Sequence, residues 1–367
     1  MIYFDNAATT KPKDSVVNEI IKCLKVDWGN PSSIYKFGSN AKNIVNESRQ
    51  SVAKFLGCNS NEIIFTSGAC ESNSLSICGF LKANDYNFIT TTIEHKSIMD
   101  LYDSLLINKS KIPVDKYGFV DLVMLDNVLS TSEKRCLVSI QFANNEIGTI
   151  QNMSEISKIV HKYNGVLHTD ATQIIPDRKV SIDGIDMLSF SGQKLGASKG
   201  IGVLYVRDEV KIQPIIYGSQ EQSLRGGTEN VPYISGLRVA INELIYETSE
   251  IRDYFIDRIM EEVHCCTLIG CKDNRLSNNV SIYFNGVESE SLLLYLDLQN
   301  ICVSSGSACN SNSIKPSYVL KEIGLSDIEA RSVIRFSFNQ NTKDEVDYVV
   351  QEIKNGVEIL RKMNGGD

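Results

Sequence analysis

Short apolar runs alternate with amphipathic stretches through the first two thirds of the sequence. The apolar runs lie at residues 63–66, 88–91, 137–142, 166–170, 187–190 and 203–206. Between them, residues 69–82, 97–106, 122–129 and 154–163 place apolar side chains at helical spacing. Runs this apolar are typical of parallel strands with helices on both faces of the sheet. The pattern therefore predicts an α/β fold with a parallel or mixed sheet.

The last third of the chain has a different pattern. Residues 279–284 alternate like a half-exposed strand, and residues 288–298 and 344–363 form amphipathic helical patterns. One long helix over residues 232–262 leads away from the first part. Because 367 residues exceed the usual size of one core, we expect two domains. These are a large domain over residues 15–250 and a smaller α+β domain over residues 1–14 and 251–367.

Composition limits the classes of protein. The net charge of −8 argues against a nucleic-acid-binding surface. No apolar run reaches the roughly 18 residues that a membrane span needs, and the N-terminal residues do not resemble a signal peptide. The ten cysteines include no C-x-x-C pair, which disfavours a zinc site. We expect a cytoplasmic enzyme with reduced thiols and no metal.

Polar residues follow several of the predicted strands. They are the Ser67–Cys70 turn, His95, Asn145, Asp170 with Gln173, and Ser191 through Lys194. Ligands of open α/β sheets bind outside the carboxyl ends of the strands. A lysine can form a covalent link to an aldehyde, a buried aspartate can pair with a protonated ring nitrogen, and a helix start can bind phosphate. Together these groups predict pyridoxal phosphate, which needs all three.

A second motif suggests a different cofactor. Gly196, Gly200 and Gly202 match the G-x-x-x-G-x-G fingerprint of short-chain dehydrogenases. That fingerprint has to open a helix, whereas residues 203–206 predict a strand. The context therefore disfavours a nicotinamide cofactor.

The chain resembles the cysteine desulfurases of the NifS/IscS type, in the class V branch of the aminotransferase-fold enzymes. The motifs that carry the resemblance are YFDNAATT, GNPSS, FTSGACES, IEHKS, NNEIGTIQ, HTDATQ, SFSGQK, KGIGVLYV, RGGTEN, SSGSAC, PSYVL and IRFSF, between residues 3 and 338. The resemblance implies a fold-type I transferase with a mostly parallel seven-stranded sheet and a smaller α+β domain.

The resemblance also implies roles for residues of the cofactor site. Lys194 would bind the cofactor aldehyde and act as the base at the substrate Cα. Asp170 would pair with the ring nitrogen, Gln173 would bind the ring oxygen, and His95 would stack on the ring. The remaining residues implied at the cofactor are Ala69, Cys70, Asn145, Ser191 and Gln193. Thr228 would reach the phosphate in the other subunit's site, which implies a homodimer.

The substrate and the product follow from the same resemblance. Asn145 and Arg335 would bind the carboxylate of L-cysteine, since a guanidinium is a bidentate partner for a carboxylate. Cys309 lies in a run of small polar residues that predicts an exposed loop. Its thiolate would take the substrate sulfur as a persulfide and pass it to an acceptor protein, and L-alanine would leave. Iron–sulfur assembly, tRNA thiolation and DNA phosphorothioation begin with such a persulfide.

The chain departs from the family pattern at two positions. Gln193 stands where histidine is usual, and Cys70 stands where threonine is usual. Both retain a donor for phosphate, in Gln193 the side-chain amide and in Cys70 the backbone N–H. Selenocysteine lyase and class V aminotransferase stay open as alternatives, and a non-catalytic sulfur carrier is a further one that intact Lys194, Asp170 and Cys309 disfavour.

Overall fold

A computed structural model describes residues 1–246, 248–305, 316–363 and 365. The described strands, in chain order, are β1 (Ile2–Tyr3), β2 (Ile63–Thr66), β3 (Asn87–Thr91), β4 (Lys109–Ile112), β5 (Cys136–Ser139), β6 (Val166–Asp170), β7 (Met187–Ser191), β8 (Gly202–Val206), β9 (Cys266–Leu268), β10 (Asn279–Phe284), β11 (Ile301–Cys302), β12 (Ser304–Ser305) and β13 (Val333–Ser337). The described α-helices are α1 (Asp14–Lys25), α2 (Lys36–Leu56), α3 (Ala69–Ala83), α4 (Lys96–Ser104), α5 (Leu122–Thr131), α6 (Met153–Lys162), α7 (Val231–Asn242), α8 (Glu250–Glu262), α9 (Ser289–Leu298), α10 (Tyr318–Glu322), α11 (Asp327–Ala330) and α12 (Lys343–Met363).

Seven of the described strands form one large sheet in the order β2-β8-β7-β6-β5-β3-β4. Neighbouring strands from β7 to β4 pair in parallel, and β8 runs antiparallel to both β2 and β7. The strands β2, β5, β7 and β8 are buried along their whole length. Helices on both faces account for this burial. The predicted mostly parallel seven-stranded sheet is confirmed.

A smaller sheet lies in the C-terminal part, with its strands in the order β12-β13-β10-β9. All of its pairings are antiparallel. An apolar cluster beside it contains Phe255, Phe336 and Val350. Phe4 of the N-terminal arm belongs to the same cluster, and β1 pairs in parallel with β11. The arm thus packs with the C-terminal part, while the domain boundaries at residues 14 and 250 stay a prediction.

The predicted helix over residues 232–262 is wrong in one respect, because the chain forms two helices there. α7 ends at Asn242, and α8 begins at Glu250. Lys13 Nζ donates to the carbonyl of Glu243 at 2.5 Å, and Ser15 Oγ donates to its carboxylate at 2.7 Å. A cation on a terminal carbonyl stabilises a helix end. A distant part of the chain therefore stabilises the end of α7.

The glycines at 196, 200 and 202 do not open a helix. Gly202 begins β8, as the sequence pattern indicates. Gly196 and Gly200 have φ values of +80° and +82°, which side chains disfavour. The segment is a tight connection between β7 and β8. In the described part of the chain, no helix combines the length and the apolar character that crossing a membrane requires.

Candidate active site

A cavity of about 330 Å³ lies where the carboxyl ends of the large-sheet strands meet the N-terminal arm. His95 follows β3, Asn145 follows β5, and Lys194 follows β7. The predicted site residues that line the cavity are Ala69, Cys70, His95, Asn145, Asp170, Gln173, Ser191, Gln193, Lys194 and Arg335. The fold therefore brings together residues that are scattered along the sequence.

Lys194 lies on a 3-10 turn, Gly192–Lys194, directly after β7. Its Nζ donates to the carbonyl oxygen of Ala7 at 2.6 Å and to that of Ala8. A Cβ on Gly192 would lie 2.8 Å from Ile201, so only glycine fits the close approach that starts this turn. The lysine amine is thus fixed between the N-terminal arm and the cavity.

Asp170 ends β6 and is 6% exposed. Its Oδ1 accepts a hydrogen bond from the Thr172 N–H at 2.9 Å, and its Oδ2 accepts one from Asn73 Nδ2 at 2.7 Å. Both donors are neutral. Neither contact is with a cation, so the Asp170 carboxylate suits a cationic ring nitrogen.

His95 caps the N-terminus of α4. The Ser97 N–H donates to His95 Nδ1 at 3.1 Å, so Nδ1 is an acceptor and the neutral ring carries its hydrogen on Nε2. Ser97 Oγ in turn accepts from Asn73 Nδ2 at 3.0 Å. The Asn73 amide thus connects the aspartate with the residue that orients the imidazole.

The start of α3 faces the end of β7 across a narrow gap. Ala69 and Cys70 form the first turn of α3, whose backbone N–H groups suit an anion. A Cβ on Gly68 would lie 3.9 Å from Ser191 Oγ, so the missing side chain leaves open space between them. Gln193 Oε1 accepts from Thr9 at 3.2 Å, which makes its amide nitrogen the group that can donate to a phosphate.

Glu71 also lines the cavity, and the sequence patterns did not single it out. Its carboxylate pairs with Arg225 Nε at 2.8 Å and accepts from the Ser67 N–H at 2.7 Å. Burial raises the pKa of Glu71, but the hydrogen bonds from Arg225 and Ser67 outweigh it and hold the pKa below the ordinary value. The charge of Arg225 offsets this anion beside the predicted phosphate position.

Arg335 enters the cavity from β13, and its side chain is 3% exposed. Its Nη2 pairs with Asp5 Oδ1 at 2.7 Å, and its Nη1 donates to the Asn145 carbonyl at 3.2 Å. Among the described residues, the buried Nε has no hydrogen-bond partner. A guanidinium with remaining donor capacity beside Asn145 suits the carboxylate of a small substrate. The sequence patterns did not indicate the contact with Asp5.

Two predicted residues are not part of this cavity as described. Thr228 is exposed on the segment before α7 and does not line the cavity of its own chain among the described residues. Cys309 lies outside the described residues, in the segment 306–315. The described chain before that segment, Ser304–Ser305, pairs with β13 in a register that sets Ser304 opposite Arg335. Within the described ranges, no group of three or more His, Cys, Asp or Glu side chains is arranged to hold a metal ion.

The described donor set fits pyridoxal phosphate. Lys194 offers an amine for the aldehyde, and Asp170 offers a carboxylate with neutral neighbours for the ring nitrogen. The open gap between Gly68 and Ser191 lies at the start of α3, where a phosphate would accept backbone hydrogen bonds. The fit rests on the chemistry of the residues and on the shape of the gap.

Comparison with known proteins identifies the class to which this fold and site belong. Residues 2–349 match the family described as aminotransferase class-V, and the chain belongs to this family. It is 40% identical over 380 residues to a cysteine desulfurase IscS of Dictyoglomus turgidum, covering 99% of this chain and 96% of that relative.

Solved structures with a similar fold include a NifS-like protein and a complex with cysteine. A NifS-like protein superimposes with a TM-score of 0.90 at 33% identity, covering 98% of this chain and 99% of that one. A structure described as SspA in complex with cysteine superimposes with a TM-score of 0.82 at 32% identity, covering 92% of this chain and 99% of that one.

Proposed function

We propose that this protein is a cysteine desulfurase, a sulfurtransferase that uses pyridoxal phosphate to convert L-cysteine into L-alanine and protein-bound sulfur. The observation that carries the proposal is one cavity in which Lys194, Asp170 and Arg335 line the same space. Relatives named cysteine desulfurase match nearly the whole chain. The solved complex of SspA with cysteine supports cysteine as the substrate.

Different residues of the chain bind the substrate and the cofactor. Arg335 and Asn145 bind the substrate carboxylate, which fixes the direction of the amino acid in the cavity. Asp170 would hold the ring nitrogen, and the start of α3 with Ser191 and Gln193 would hold the phosphate. Pyridoxal phosphate, when bound, supplies an electron sink for the electron pair released at the substrate Cα.

Proton transfer depends on Lys194 and His95. The Lys194 amine leaves the carbonyls of Ala7 and Ala8 and takes the proton from the substrate Cα. His95 presents Nε2 as the donor because Nδ1 accepts from Ser97. The contact with Ser97 therefore determines which imidazole nitrogen can give a proton to the substrate.

Sulfur transfer requires a thiolate, and Cys309 is the residue that we assign. Its thiolate attacks the substrate sulfur, a sulfur–sulfur bond forms, and the bond between substrate Cβ and sulfur breaks. The electron pair of the broken bond stays on the carbon skeleton, which takes up a proton and leaves as L-alanine. Cys309 then carries a persulfide for an acceptor protein. The described chain before this segment ends at Ser305, directly after Ser304, which pairs with Arg335; this supports a role for Cys309 at the site.

A turnover assay tests the proposed function. The holoenzyme is incubated with L-cysteine and a reducing thiol, and alanine and sulfide are quantified. Equal amounts of the two products are expected without any added keto acid. Amino transfer that depends on a keto acid, with no sulfide, would instead indicate an aminotransferase.

We further propose a homodimer in which Thr228 serves the partner's cofactor phosphate. Thr228 is exposed and is not among the described residues that line the cavity of its own chain, which supports this arrangement. Lys194→Ala and Thr228→Ala chains are mixed and allowed to exchange subunits. If Thr228 acts in the partner's site, one site of each mixed dimer combines an intact Lys194 with an intact Thr228, and activity returns. If Thr228 acted in its own chain, mixing would restore nothing.

A further inference from the structure

Two turns at the edge of the cavity are bound to the start of α10. Ser317 Oγ donates to Glu146 Oε2 at 2.5 Å, and the Tyr318 hydroxyl donates to the carbonyl of Glu94. Glu94 directly precedes His95, and Glu146 directly follows Asn145. The first residues of α10 therefore contact the two turns that carry these predicted site residues.

Apolar packing holds the same contact together. Val319 and Leu320 of α10 are buried in one cluster with Ile93 and Ile147, the residues next to the two glutamates. Ser317 also caps α10 by accepting from the Leu320 N–H. Because the hydrogen bonds flank a packed apolar contact, the start of α10 has one defined position against the cavity.

Glu146 is 7% exposed and has no place in the chemistry proposed so far. Its backbone N–H donates to Asn144 Oδ1 at 2.8 Å, which fixes the turn. Burial raises the pKa of Glu146 to about 7, while the hydrogen bond from Ser317 and the positive charge of Arg335 oppose the rise. Above neutral pH, the Ser317 hydroxyl therefore donates to a charged carboxylate, which strengthens the bond.

The described chain on each side of the segment 306–315 contacts either a residue that lines the cavity or the neighbour of one. Ser304 pairs with Arg335 on one side, and Ser317 contacts Glu146 on the other. Cys309 belongs to this segment. We propose that Glu146, through its hydrogen bond to Ser317, is a positioning residue for sulfur transfer, because it fixes the chain that follows Cys309 against the cavity. This role rests on the proposed desulfurase function.

Three variants of the holoenzyme separate positioning from general stability. Ser317→Ala removes the donor, Ser317→Thr keeps both the hydroxyl and the helix cap, and Glu146→Gln keeps an acceptor oxygen without the charge. Ser48→Ala is the matched control, since Ser48 is buried and donates to Ile44 of its own helix at 2.7 Å. Two quantities are measured: L-alanine affinity from the cofactor spectrum, and the single-turnover rate of alanine release from L-cysteine.

The rate of Ser317→Ala falls by about tenfold to a hundredfold, the range for a lost hydrogen bond to a charged group. Its L-alanine affinity stays within about twofold of wild type, because the carboxylate site is intact. Ser317→Thr and Ser48→Ala retain the wild-type rate. Glu146→Gln lowers the rate, but adding it to Ser317→Ala lowers the rate no further, since both changes remove one interaction.

A wild-type rate in Ser317→Ala would overturn the role of Glu146, and so would a loss of L-alanine affinity that parallels the loss of rate. A rate in the double variant that falls by the product of the two single effects would also contradict the role of Glu146. A wild-type enzyme that releases no alanine and sulfide from L-cysteine would instead refute the desulfurase function itself. The two failures are therefore distinguishable.

Discussion

Asn73 Nδ2 lies 2.7 Å from Asp170 Oδ2 and donates a hydrogen bond to it. Asn73 is fully buried on α3, whereas Asp170 ends β6 of the large sheet. The same amide nitrogen lies 3.0 Å from Ser97 Oγ, and Ser97 orients His95. One buried amide thus connects the carboxylate of Asp170 with the residue that orients the imidazole of His95.

Asn73→Ala should weaken the binding of pyridoxal phosphate. Asp170 loses one of its two neutral donors, and a hydrogen bond to a charged group lowers affinity by about tenfold or more when it is removed. The affinity is measured by titrating the cofactor-free protein with pyridoxal phosphate and recording fluorescence. Asn84→Ala, at the far end of the same helix, is the control. Equal affinities in the two variants would contradict the role of Asn73.

Lys194→Ala should abolish the covalent link to the cofactor. Lys194 has its amine at the cavity, whereas Lys199 is exposed on the same connection between β7 and β8. Borohydride reduction followed by peptide mass spectrometry should place the cofactor on Lys194 in the wild type and in Lys199→Ala. A cofactor label that persists in Lys194→Ala, on any lysine, would refute the assignment.

Arg335→Lys should raise the KM for L-cysteine by about tenfold or more, because lysine keeps the charge and loses the planar pair of donors. Cysteamine has the thiol and the amine of cysteine but no carboxylate. Its weak turnover should change little in the variant, so the ratio of the two KM values is the informative quantity. Equal increases in KM for L-cysteine and cysteamine would show that Arg335 does not bind the substrate carboxylate.

The sequence predicted the residues that follow strands and, through the family resemblance, Arg335, but it missed Asp5 and Asn73. Asp170, Lys194 and His95 could be found because polar residues after apolar strands stand out in a linear pattern. Asp5 could not, because its partner Arg335 lies 330 positions away. Asn73 sits on a buried helix face that also carries Ser72 and Ser76, so its polar side chain does not stand out in the sequence. The end of α7 is likewise contacted by Lys13, which is far from it in sequence.

Glu94→Gln should change how stability depends on pH. Burial raises the pKa of Glu94 from 4.5 to about 8, although hydrogen bonds from Thr91 and the Gln141 N–H oppose the rise. The unfolded chain releases this proton near its ordinary pKa, and the folded chain keeps it. The group therefore stabilises the fold fully at low pH, and this contribution is lost as the pH rises toward 8, by at most about 1.4 kcal/mol per pH unit.

The measurement is the free energy of unfolding in urea at several pH values for wild type, Glu94→Gln and the exposed control Glu133→Gln. Glu94→Gln should gain stability relative to wild type as the pH rises from about 5 to 8. The surface control should follow the wild type throughout. A constant difference between Glu94→Gln and wild type would show that Glu94 titrates normally in the folded chain.

The identity of the sulfur-carrying residue is the central claim, and peptide mass spectrometry tests it most directly. The holoenzyme is mixed with L-cysteine without reductant, alkylated and digested. The account predicts one added sulfur atom on the peptide that contains Cys309, and none in Cys309→Ser, which should still bind pyridoxal phosphate. A persulfide on another cysteine, or sulfide release at the wild-type rate by Cys309→Ser, would contradict it.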